Sequence, residues 1–269
     1  MRARRAFSAA VRCFPPSTGT QLETAKNKLS QALRIAPGYS RAKAWLAYAL
    51  VHGYVEGYAG FTGRRVLDRA KRLIDEADPR HVDTIWAGAF YQFALAADDP
   101  VRLDKAVKAY EAAMKRAPGN TDLMVEAAEA LTYCGRLRDS EKLLKKAMKR
   151  DPEDQPDWYL WDLAWIHFLK AGRANVRADR RRRHLEAALD ALDTMLDEPD
   201  VPAFQVDSLL LKAAVLWHLG RKRKARKERD TFKEKKPDWS LARETNSVRF
   251  KRVDDRRHWL STVELVLQA

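Results

Sequence analysis

The sequence predicts an all-α fold, an α-solenoid of about six helix pairs followed by a C-terminal capping helix. Three observations carry that expectation. Ala106, Tyr110, Ala113 and Pro118 stand at offsets 0, 4, 7 and 12, and Ser140, Leu144, Ala147 and Pro152 repeat them 34 residues further on. Six prolines (Pro37, Pro79, Pro118, Pro152, Pro199 and Pro237) recur at intervals of 42, 39, 34, 47 and 38 residues. Richness in Leu, Ala, Lys, Arg and Glu favours helix throughout. The pattern has a physical cause. Small residues let a helix approach its partner closely, the large one fills the gap between them, and proline, which cannot donate to a helical ladder, forces a turn.

Residues 1–20 carry arginines and no acid, and Arg12 interrupts their apolar run, so they read as a poorly matching first helix ended by Pro15-Pro16 rather than a secretory signal. Residues 21–239 hold the repeats. Ala25, Leu29, Ala32 and Pro37 reproduce the four offsets. The next repeat packs through Lys43, Leu46, Ala47 and Leu50, and its connection holds Gly53, Gly57, Gly60 and Gly63. No strand precedes these glycines and no phosphate-loop motif is present, so they read as a loop insertion. Before Pro79, Leu67, Lys71 and Ile74 keep the frame, whereas Ala70, Ile74 and Ala77 fit a shifted one.

The third repeat packs through Ile85, Gly88 and Ala89 and closes with the Ala106–Pro118 set. The fourth is the most regular, with Asn120 or Thr121 placed to cap its first helix and Gly135 in its turn. In the fifth, Leu160, Leu163, Ala164 and His167 make one helical face, and Trp158, Trp161, Trp165 and Phe168 make a second. A helix apolar on two faces is buried or has something to bind. Its second helix reads as Ala187, Ala191, Thr194 and Pro199. The sixth repeat offers Leu209, Lys212, Ala213 and Leu216, then Ala225, Arg229, Phe232 and Pro237, with Arg229 in place of the large apolar residue. Residues 240–269 form the cap, an amphipathic stripe of Trp259, Leu260, Val263, Val266 and Leu267.

A 34-residue period of small, large, small and proline, following a helix with its own large-small pair, resembles the tetratricopeptide-repeat (TPR) family. The resemblance implies a right-handed solenoid and a non-enzymatic protein-interaction scaffold. Residues 156–165 look like a segment of the TPR arrays attached to bacterial adenylate/guanylate cyclases and winged-helix regulators. In TPR proteins the first helix of each repeat lines the concave groove. Carried onto this chain, the groove positions are Tyr48, His52, Trp86, Phe90, Phe93, Tyr133, Trp158, Trp161, Trp165, Phe168, Trp217 and His218. The chaperone-binding subclass needs Lys and Asn where Val125 and Glu129 stand here, so the expected ligand is instead a peptide or partner helix on an aromatic surface.

Composition bounds the alternatives. The net charge is +14, spread over both halves, with 20 basic and 14 acidic residues before Gly135 and 31 and 23 after. Two clusters stand out. Arg173, Arg177, Arg180, Arg181, Arg182 and Arg183 form one, and Arg221, Lys222, Arg223, Lys224, Arg226 and Lys227 the other. They offer an alternative, capture of nucleic acid or an acidic partner, which is disfavoured because no aromatics interleave the charges. No apolar run reaches 18 residues, so no transmembrane helix is expected. Cys13 and Cys134 are too few for a disulfide framework and suit a reducing, cytoplasmic setting. The six histidines show no metal-ligand spacing, and no nucleophile-base motif appears. No cofactor, metal or catalytic residue is expected.

Overall fold

A computed structural model describes residues 1–14, 18–150, 152, 156–197 and 205–268. Among these residues every regular element is helical. The helices are α1 (Arg2–Val11), α2 (Gly19–Ile35), α3 (Ser40–Val55), α4 (Arg64–Asp75), α5 (Val82–Ala94), α6 (Arg102–Arg116) and α7 (Thr121–Tyr133). They continue as α8 (Leu137–Arg150), α9 (Trp158–Ala171), α10 (Ala178–Met195), α11 (Val206–His218), α12 (Lys222–Lys235), α13 (Leu241–Ser247) and α14 (Val253–Gln268). The chain divides into two compact units, Met1–Ala96 with Asp104–Leu123, and Ala97–Leu103 with Met124–Ala269.

Within the first unit, α1 packs on α2, α2 on α3, and α3 on both α4 and α5. Within the second, α8 packs on α9, α9 on α10, α10 on α11, and α11 on α12. These helices thus touch their own partners and the next repeat, the nearest-neighbour scheme of a solenoid. The offsets explain the contacts. Ala25, Leu29, Ala32, Ala106, Tyr110, Ala113, Ser140, Leu144 and Ala147 are all buried. Ser140 lets α8 approach α7 so closely that its hydroxyl donates to the Ala128 carbonyl at 2.7 Å.

The turns have a shared construction. The Tyr39 N–H donates to Ala36 O, His81 to Asp78 O, Asn120 to Ala117 O and Trp239 to Lys236 O, each across the proline that follows the acceptor. Proline sits at the second position of these turns, where its fixed φ is already suitable. Asn120, rather than Thr121, caps α7, accepting from the Leu123 N–H at 2.8 Å. Pro15-Pro16 and Pro199 lie outside the described residues.

Three helices depart from the expected register. On and just beyond α4 the shifted frame holds, since Ala70 and Ala77 are buried and Ile74 is partly so, while Lys71 of the other frame points outward to pair with Asp75. On α10 Ala191 is buried as expected, but Ala187 is only half-buried and Thr194 is exposed, while Ala188, Leu192 and Met195, one residue beyond the expected frame, are buried together with Leu185 and Leu189. That frame puts Pro199 at offset 11 rather than 12 from its first position, so counting back from the proline places the face one residue early. On α9 Ala164 is buried as expected, but Tyr159, Asp162, Ile166 and Leu169 are buried while Leu160, Leu163 and His167 are only partly covered. With aromatic or aliphatic side chains on nearly every turn of α9, periodicity could not choose the face.

The glycine-rich connection is structural. Gly57, Gly60 and Gly63 adopt positive φ, where glycine carries no Cβ penalty. Gly53 faces the buried Phe61 ring so closely that a Cβ there would overlap it. Gly53→Ala is therefore expected to lower stability by about 1–3 kcal/mol through overpacking, read as a reduced thermal midpoint by circular dichroism. An unchanged midpoint would show that Phe61 moves aside freely.

Candidate aromatic interaction surfaces

In the first unit, α3 and α5 present a continuous aromatic cluster. Tyr48 sits at its centre, stacked on Phe90 at 4.9 Å between ring centroids, 5.6 Å from Trp86, 5.7 Å from Trp45 and 6.2 Å from His52. Phe14 approaches Trp45 to 5.0 Å. The spacing along α3 is the cause, because Trp45, Tyr48 and His52 lie at i, i+3 and i+7 and so share one face. Tyr48, His52 and Trp45 are half-buried, whereas Trp86, Phe90 and Phe93 are buried. Phe93 therefore belongs to the core and not to a groove. Trp45 was missed by the transferred groove positions, yet its indole Nε1 is buried without a hydrogen-bond acceptor among the described residues. Beside it lies a cavity of about 10 Å³ lined by Ala44, Trp45, Tyr48, Asp83 and Trp86. This is a surface rather than a small-molecule pocket.

In the second unit the corresponding face is already covered. The segment 248–268 runs across it, and α14 packs on α9, α11 and α12 instead of only closing the last helix pair. Phe250 stacks on Tyr133 at 4.9 Å, Trp259 meets Trp165 at 4.7 Å, and His258 lies over Phe168 at 4.5 Å. The Lys251 N–H donates to Tyr133 O at 2.9 Å. Thr262 donates its hydroxyl to His258 O at 2.7 Å and lies 2.8 Å from His218 Nε2. Trp165 and Phe168 are consequently core residues, Tyr133, Trp158, Trp161 and Trp217 half-buried, and His218 exposed at the edge. The expected stripe seats α14, with Trp259, Val263 and Val266 buried and Leu260 and Leu267 packed against them.

Polar residues lock this segment down. Arg173 donates to Asp255 at 3.1 Å and to Gly135 O at 3.2 Å. Trp259 Nε1 donates to Glu244 at 2.7 Å. Arg229, which stands where the repeat has a large apolar residue, turns inward and donates to Val266 O at 3.1 Å. Room is made by glycines. A Cβ on Gly172 would overlap the His258 ring, and Gly135, at positive φ, abuts Arg252. Gly135 was visible in the sequence as a turn residue, but nothing local could reveal what would lie against either glycine.

Several titratable groups in these faces are perturbed by burial. His52 and His258 are lowered to about 4 by desolvation. His167 is lowered to about 4 as well, with the nearby Glu141 carboxylate opposing the shift. Its Nδ1 lies 3.0 Å from His184 Nδ1, so one neutral ring donates to the other. Asp162 is raised well above the usual carboxylate range by burial and by the charges of Glu129 and Glu126.

The basic clusters separate into different environments. Arg173 is committed to Asp255, Arg177 and Arg183 pair with Asp179, and Arg182 pairs with Glu186. The expected clasp at 173–183 is thereby largely neutralised, leaving Arg180 and Arg181. Along α12, Lys222 lies 4.7 Å over the Trp217 ring, and Arg221, Arg223, Lys224, Arg226 and Lys227 are exposed. No group of His, Cys, Asp and Glu suited to a metal ion occurs among the described residues. No helix among them is long and apolar enough to cross a membrane.

Comparison with known proteins places this geometry. A tetratricopeptide-repeat family model matches residues 95–160. No curated protein matches the chain. Among solved structures, human IFIT1 with m7Gppp-AAAA is similar at 17% identity and a TM-score of 0.64, covering 98% of this chain and 58% of that one. A monomeric IFIT1 mutant with Gppp-AAAA is similar at a TM-score of 0.62 and 17% identity, covering 98% of this chain and 59% of that one. Yeast Tom70 is similar at 13% identity and a TM-score of 0.52, covering 100% and 53%. The chain thus spans a little over half the length of these proteins.

Two outcomes follow from these faces. Gly172→Ala is expected to loosen α14, read as faster amide hydrogen exchange across 253–268 with α3–α5 unchanged. Equal protection in variant and parent would mean that His258 is accommodated elsewhere. The histidines predict an acid sensitivity. Because their folded values lie below the ordinary 6.5, the stability they confer is present above about pH 6.5 and is lost as pH falls towards about 4. NMR titration should find three imidazoles that remain neutral at pH 5, and ordinary midpoints for all six would contradict this. The geometry and the comparisons agree on an all-α fold of TPR-type helical repeats.

Proposed function

We propose that the chain is a non-enzymatic scaffold whose Tyr48-centred aromatic surface binds an amphipathic helix or peptide of a partner protein. One observation carries this reading. The chain seats an amphipathic helix of its own, α14, on the aromatic face built by first helices of successive repeats in the second unit. In the first unit the equivalent helices α3 and α5 present Tyr48, His52 and Trp45 half-buried, with the Trp45 N–H lacking an acceptor among the described residues. Buried aromatics with one polar edge are well suited to anchor an interface, because they supply large apolar area at low rotamer cost. A helix also fits this surface better than a small molecule does, since the adjoining cavity has room for about one water. The narrower kinship with cyclase-associated arrays rests on residues 156–165 and would supply a regulator as the partner.

A second reading, nucleic-acid or acidic-partner binding, is supported by the exposed cations of α12. Human IFIT1, which shares the fold, is seen with m7Gppp-AAAA. A polyanion binding there would lose affinity steeply with salt.

The test uses the full chain and a synthetic peptide of the α14 sequence as the first helical probe. Binding is expected at the first-unit surface. Tyr48→Ala with His52→Ala should weaken it at least tenfold, about 1.4 kcal/mol, while the helical dichroism is retained. No binding, or equal binding by the variant, would defeat the proposal. A gel shift with single-stranded RNA at low salt that Arg223→Ala/Lys224→Ala abolishes, together with no peptide binding, would favour the second reading.

A further inference from the structure

We infer that the cleft between the start of α8, the end of α9 and the start of α10 is a binding site for a small polyanion carrying two or more phosphoryl groups. The cleft has a volume of about 610 Å³, within the range of small-molecule sites. Its walls carry Arg136, Arg138, Lys170, Arg173, Arg180 and His184, against Asp139 as the one acidic residue lining it. Three of the five cations have partners. Arg136 pairs with Asp139 at 2.9 Å, Lys170 with Glu141, and Arg173 with Asp255 at 3.1 Å.

The remaining two decide the chemistry. Arg138 on the α8 side and Arg180 on the α10 side have no ion-pair partner among the described residues, and both are exposed to the cleft's solvent. Two guanidiniums on separate walls offer two forked donors, each matched to the oxygens of one phosphoryl group, and neither loses its charge at physiological pH. A single carboxylate would leave one of them unanswered. Charge confinement argues for a small ligand over a long strand. Around the start of α10, Arg177 and Arg183 share Asp179 and Arg182 pairs with Glu186, so Arg181 is the one neighbouring arginine without a carboxylate partner among the described residues, too short a run to track a long strand. The site is separate from the aromatic surface of the first unit, and neither depends on the other.

Isothermal titration of the full chain near physiological salt, with inorganic pyrophosphate, ADP, adenosine and sulfate as probes, tests this. Pyrophosphate and ADP should bind at least tenfold more tightly than sulfate, and adenosine should not bind. Arg138→Ala with Arg180→Ala should reduce both affinities at least tenfold without loss of helical signal. Arg65→Ala with Arg69→Ala, on exposed α4, should leave them unchanged. Tighter binding of ADP than of pyrophosphate assigns a nucleotide, and equal binding assigns a site that reads phosphate alone. The inference fails if neither probe binds, if sulfate competes equally, or if the α4 variant loses as much as the cleft variant. It fails also if a 5′-phosphorylated RNA oligomer binds and pyrophosphate does not.

Discussion

Close approach of paired helices is the constraint on which the structure depends. At the first and third offsets of α2, α6 and α8, alanine or serine brings two backbones near enough that a larger side chain between them can seal the interface. Ala25 and Ala32 flank Leu29, and Ser140 and Ala147 flank Leu144, all of them buried. The Ser140 hydroxyl shows how tight this is, reaching the Ala128 carbonyl of the preceding helix. Each helix pair then offers its outer face to the next, and stability accumulates from nearest-neighbour contacts rather than from one central core. Insertions such as the glycine-rich connection at 56–63 are tolerated because they lie between helices, outside these paired offsets.

The first helices of the repeats carry what packing does not consume. In the second unit that surplus apolar surface is taken up internally. Trp165 and Phe168 bury against Trp259 and His258, and the segment is held by Arg173 to Asp255 and Arg229 to Val266 O. Gly135 and Gly172 provide the clearance. In the first unit the aromatic cluster around Tyr48 stays partly open. The same kind of surface therefore occurs twice in one chain, once with a helix on it and once without.

Charge follows a comparable division. Most of the arginines at 173–183 are spent on carboxylates one turn away or on the C-terminal segment, which explains why a conspicuous basic run yields little free positive surface. Arg138 and Arg180, far apart in sequence, keep theirs and line one cleft. Burial acts oppositely on the other ionisable groups, holding His52, His167 and His258 neutral and raising Asp162.

The repeat architecture was legible in the sequence because proline turns and the small-large-small offsets are local rules, set by backbone geometry and helix contact distance. Asn120 as a cap and the stripe on α14 were readable for the same reason. Tertiary structure alone decided where α14 goes, since amphipathicity reports that a helix has an apolar face without saying which surface receives it. It also decided the face of α9, whose apolar residues surround the helix, and the one-residue shift on α10. The aromatic roles of Trp45, Phe93 and Phe168, and the presence of Arg138 and Arg180 in the lining of one cleft, depend on how elements distant in the chain pack. Spacing along a helix names candidates for such roles, and only packing separates the buried ones from those that remain available.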